Sequence, residues 1–130
     1  MPTAIKMPAR SLQYYVLAKR WLSDLEFFKI EAAYLHRLID NYKQHLLDME
    51  HQQQLTAIKA DLLKLDDGET RSLLSEQIWQ LELMADDIIA EDAESITATQ
   101  VKLECFMTNL TNEFRLIKHQ LYRLLLDGRK

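Results

Sequence analysis

The stretch YYVLAKRWLSDLEFFKIEAAYLHRLIDNY, residues 14–42, decides the fold. Its residues Tyr14, Ala18, Trp21, Leu25, Phe28, Ala32, Leu35, Ile39 and Tyr42 recur at alternating steps of four and three. That rhythm holds one stripe of a helix facing one way, and the period of two in a strand cannot produce it. The series runs on through Leu46 to Met49, so a first helix over about 12–50 is expected. Ser23 and Glu26 have the spacing of a capping box, but the seam continues on both sides of them, so they read as helix interior.

Working outward, the rhythm breaks after Met49. Glu50-His51-Gln52-Gln53-Gln54 has no apolar side chain and reads as a turn, with a register slip in a continuous helix as the alternative. Leu55, Ile58, Leu62 and Leu65 form the next apolar set. Asp66-Asp67-Gly68-Glu69 interrupts it, with Gly68 a candidate left-handed helix end and Asp66 or Asp67 a candidate cap for the next helical segment. Leu74, Ile78, Leu81, Ala85 and Ile88 come third and fade into the acidic run Asp86, Asp87, Glu91, Asp92 and Glu94. That run reads as a solvated helix end, because a calcium loop sets its acids around a glycine turn and this run has none. Thr97 with Gln100 has the spacing of a capping box opening the last helix. Its seam is Leu103, Met107, Leu110, Phe114, Ile117, Leu121 and Leu124.

Helices over about 12–50, 54–93 and 97–127 are roughly 58, 59 and 46 Å long, well enough matched to lie side by side. The expected architecture is all-α: a long antiparallel helical bundle of three rods, the middle one broken near Gly68. Residues 1–10 form a flexible lead-in, and 11–130 form one helical-bundle domain. An up-down four-helix bundle, with residues 54–66 folding back separately, is the alternative. A three-helix bundle with a tryptophan on its first helix, here Trp21, is similar at the level of fold to spectrin-type repeats. No diagnostic motif accompanies that likeness, and the broken middle rod departs from it.

Totals exclude several functions. With two Gly and two Pro in 130 residues, the chain lacks the turn residues a β protein needs. A net charge of −4 argues against nucleic acid as partner. The single cysteine, Cys105, fits a reducing compartment. No signal-like segment opens the chain and no apolar run approaches a membrane span, so a cytoplasmic location is expected.

No chemical constellation emerges either. Di-metal bundles need Glu-x-x-His on two helices, and no glutamate here is followed by His at that step. His36 with Asp40 reads as a surface pair, His51 as a solvated turn, and His119 as part of a modest basic face with Arg115, Lys118 and Arg123. Cys105, between Glu104 and Phe106, lies off the seam in acidic surroundings, which is wrong for a reactive thiol. No catalytic residue, metal or cofactor is expected, and the chain reads as a non-enzyme.

One feature is out of place for a helix that buries a single stripe. Leu12, Val16, Phe27, Ile30, Tyr34 and Leu38 gather roughly 145° from the seam of the first helix. Trp79 and Leu83 likewise point away from the seam of the middle rod. Either segment 54–66 packs over the back of the first helix, or these residues are a contact surface for a second copy or a partner helix, or they line a groove. The expected function is therefore a helical interaction module, an adaptor or regulator, acting as a homo-oligomer such as a homodimer with coiled-coil-like packing. A small-ligand-binding or enzymatic bundle, with its site between helices or across a dimer, is the alternative.

Overall fold

The computed structural model describes residues 9–45, 48–65, 67–86 and 94–127. Among them there is no strand: the chain is an all-α bundle of α1 (Ala9–Lys43), α2 (Met49–Lys64), α3 (Gly68–Ala85) and α4 (Glu94–Asp127). The middle rod is broken next to Gly68, as expected. Residues 1–8, which hold most of the expected lead-in, and residues 87–93 of the acidic run lie outside the described residues.

The helices form two compact units, Met1–Leu25 with Asp67–Thr108 and Glu26–Asp66 with Asn109–Lys130. Each holds three helical segments: the first half of α1, α3 and the first half of α4 in one, and the second half of α1, α2 and the second half of α4 in the other. Residues 54–66 do not cover the back of α1: Leu55, Ile58 and Leu62 cluster with Leu35 and Ile39 of its seam.

The second unit has an apolar core. Leu35 and Ile39 of α1, Leu55, Ile58 and Leu62 of α2, and Phe114, Ile117, Leu121, Leu124 and Leu125 of α4 are buried together. Phe28 stands edge-on to Phe114, with ring centres 5.3 Å apart. Asp40 of α1 pairs with Lys59 of α2 at 2.6 Å. Phe28 with Phe114, and Glu31 with Lys118, advance together along α1 and α4, so those two helices run parallel here. In the first unit Leu81, Met84 and Ile96 are buried against Tyr14 and Tyr15, and the Tyr15 hydroxyl donates to Glu82 at 3.2 Å. Burial of the ring, then that carboxylate, pushes the Tyr15 pKa up.

The turn expected at 50–54 lies several residues earlier. α1 ends at Lys43, and α2 already begins at Met49. Asp48 sets this boundary. Its Oδ1 accepts the Glu50 amide at 3.0 Å, its Oδ2 lies 2.7 Å from His51 Nδ1, and its carbonyl accepts the Gln52 amide at 3.1 Å. Glu and Gln are good helix formers, so a polar run continues a helix as readily as it breaks one. His51 belongs to this cap and not to a solvated turn. Met49, expected to close the α1 seam, is 71% exposed at the start of α2. Gly68 is the first residue of α3, not a left-handed helix end. α2 ends instead through extended Leu65, and the Asp67 carboxylate pairs with Arg71 at 2.9 Å. α4 starts at Glu94, so Thr97 and Gln100 lie inside it and form no capping box.

Urea unfolding tests both readings. Leu35→Ala costs roughly 3 kcal/mol, because a fully buried leucine leaves a cavity, whereas Met49→Ala is within about 0.5 kcal/mol of neutral; equal losses would return Met49 to the core. The backbone amide of Glu50, and then His51, hold the Asp48 carboxyl below the usual carboxylate range. A group with a lowered folded pKa stabilises above its unfolded value, and the contribution is lost as pH falls through the folded one. Asp48→Ala therefore lowers the unfolding midpoint at neutral pH, and the difference from wild type closes as pH falls through the lowered folded pKa of Asp48. A penalty unchanged across that range would show that the carboxylate is not what caps α2.

Candidate interaction surface

In the second unit α1 has two neighbours, α2 and α4, and its seam faces both. α2 brings Leu55, Ile58 and Leu62 to Leu35 and Ile39, and so does not cover the opposite side of α1. Phe27, Ile30 and Tyr34 are left 66%, 66% and 55% exposed. Their steps of three and four put them on one face of the helix. Leu38 behaves differently: it is partly buried and packs against the core. Of the other residues singled out in the sequence, all in the first unit, Val16 and Trp79 are exposed and Leu12 and Leu83 half-buried.

The α4 side of this face is set by charge and aromatic contacts. Lys118 Nζ lies 3.3 Å from both carboxylate oxygens of Glu31 and over the Phe114 ring, 5.1 Å from its centre. Tyr122, one turn beyond Lys118 on α4, is exposed, and its pKa is raised, first by burial and then by Glu31 and Tyr34. Leu126, one turn beyond Tyr122 on the same helix, is exposed. Sequence pattern alone picks out the cations of α4 but passes over Tyr122 and Leu126, whose four-residue spacing off the seam was the available signal.

Polar chemistry concentrates elsewhere. Among the described residues the buried polar side chains are Ser11, Thr70, Gln77 and Gln100, all in the first unit. Gln77 and Gln100, 1% and 4% exposed, stand at core positions of α3 and α4. Gln77 Nε2 donates to the Ile96 carbonyl at 2.9 Å and to Gln100 Oε1 at 3.0 Å. Gln100 Nε2 donates on to the Tyr14 carbonyl at 3.5 Å. The amides join all three helical segments of that unit, and amides neither ionise nor attack. They form a buried hydrogen-bonded network across those segments.

The remaining candidates offer little. An open groove of about 410 Å³ between α2 and α4 has Ile58 and Leu124 in its lining, with Asp61, Gln120, Arg123 and Asp127 around them. No group of three or more His, Cys, Asp or Glu among the described residues is placed to hold a metal. Asp40 takes Lys59 as its main partner, with His36 a lesser influence. Cys105 is an exposed residue of α4. Among the described residues no helix is long and apolar enough to cross a membrane. No protein-family model, curated protein or solved structure matches the chain.

The glutamine network predicts a non-additive mutant cycle. Gln77→Leu or Gln100→Leu alone leaves a buried partner without its bond and costs about 1–3 kcal/mol. Gln77→Leu with Gln100→Leu removes both polar groups and costs less than the two single changes summed, to the point of stabilising. Urea unfolding of the four proteins measures this, and strict additivity would mean that the amides do not depend on each other.

Proposed function

We propose that this chain is a non-enzymatic helical interaction module, an adaptor or regulator, that works by presenting the open face of α1 to another helix. The observation that carries this reading is the exposure of Phe27, Ile30 and Tyr34 side by side on one regular helix. Scattered exposed apolar residues are ordinary, but large ones clustered on one face mark contact surfaces. Covering one such side chain contributes about 1.5–3 kcal/mol. Three together only just reach the lower part of the roughly 4–15 kcal/mol lost on association. A working interface therefore also needs the neighbouring residues of α4, and Tyr122 and Leu126 are available for it.

Self-association, with α1 of one copy against α1 of another across a two-fold axis, is the simplest form of this reading. The alternative, a small-ligand site, is supported by the polar residues around the groove between α2 and α4. Those residues are exposed, and exposed groups lack the burial that tunes acids and bases for chemistry.

A photo-crosslinking residue placed at Ile30 in the cell tests the proposal. The expected result is a covalent adduct with a polypeptide, absent when the probe replaces the exposed Glu113, and lost in a Phe27→Glu, Tyr34→Glu background that keeps its helical circular dichroism. An adduct at twice the chain mass identifies self-association. Equal labelling from Ile30 and Glu113, or none from either, would remove α1 as the working surface.

A further inference from the structure

Resting on the interaction-module reading, we infer that the partner of the α1–α4 face is an amphipathic helix with acidic flanks on a different protein, not a second copy of this chain. The apolar part is Phe27, Ile30 and Tyr34 of α1 with Tyr122 and Leu126 of α4, all in the second unit. The charges around it decide the partner. Glu31 is held by Lys118, and Glu26 is itself engaged. Arg37 on α1 and Arg115 on α4 are exposed and, among the described residues, make no ion pair. Arginine beside aromatic side chains is the composition of an interface centre, and its planar fork seeks carboxylates.

The wider charge balance agrees. From the sequence, residues 26–66 and 109–130 hold 10 Lys and Arg against 9 Asp and Glu, a balance of +1, while residues 1–25 and 67–108 hold 6 against 11, a balance of −5; together these give the whole-chain −4. The aromatic face thus belongs to the nearly neutral part of an acidic protein. A two-fold pairing would set a face whose unpaired charges are both arginines against its own copy, and like charges across an interface are unfavourable. A helix with glutamates flanking an apolar stripe meets both requirements, covering the aromatics and pairing Arg37 and Arg115.

The test uses the full chain and two labelled designed helices. One has leucine at its core positions and glutamate along both flanks, and the other has lysine in place of every glutamate. Fluorescence anisotropy is expected to show the acidic helix binding about tenfold more tightly, roughly what a few rim ion pairs supply. That preference is expected to shrink with added salt and to reverse in Arg37→Glu, Arg115→Glu. Phe27→Glu is expected to abolish binding while leaving the helical circular dichroism intact. Anionic phosphatidylserine vesicles are expected not to sediment the protein. Equal binding of the two helices, both lost in Phe27→Glu, would overturn the acidic partner and leave the interaction module standing. A dimer by light scattering that Phe27→Glu dissociates, with neither helix bound, would make the second copy the occupant. Vesicle binding without helix binding would make it a lipid surface. No binding of helix or vesicle and no dimer would overturn this inference and the interaction-module reading together.

Discussion

A helix packed against two neighbours hides one stripe of its surface. Each unit of this protein contains three helical segments, so every segment meets two others and buries one seam. α1 and α4 serve both units, while α2 and α3 each serve one. The rest depends on this constraint. A second apolar stripe on a segment with only two neighbours has nothing within its unit to cover it, and Phe27, Ile30 and Tyr34 are that stripe.

The two units meet the constraint with different chemistry. One closes on leucine, isoleucine and phenylalanine, where burial is non-directional. The other places Gln77 and Gln100 at seam positions and satisfies them with each other and with the carbonyls of Ile96 and Tyr14. Hydrogen bonds are directional, so a buried amide pair specifies which residues face each other in a way a leucine pair does not. Among the described residues no buried side-chain nitrogen or oxygen lacks a partner, so this specificity is not set against an unsatisfied polar group.

Much of this was legible in the residues. The seam from Tyr14 to Tyr42 and that from Leu103 to Leu124 are buried or half-buried along their lengths. The errors share a cause. Met49 continued the α1 spacing, but spacing cannot report that Asp48, one residue before it, caps a new helix. Gln100 matched a capping box with Thr97, and Gln77 was passed over, because a polar residue in an apolar rhythm looks like an exception. Both amides stand at positions the rhythm itself marks: Ile96, Gln100, Leu103 and Met107 step by four, three and four, as do Thr70, Leu74, Gln77 and Leu81. A polar residue at a seam position signals a buried partner, and the two glutamines point to each other.

The amino-acid pattern by itself determined that the chain is helical, which stripe of each helix is apolar, where the middle rod is interrupted, and that α1 has a second apolar stripe. Periodicity does this because it is a property of one helix turning about its own axis. Only the tertiary structure decided that the second stripe is left open and that Leu38 lies partly in the core. Those facts depend on how many helices surround each segment and at what level they meet, and a pattern within one helix contains neither number nor level.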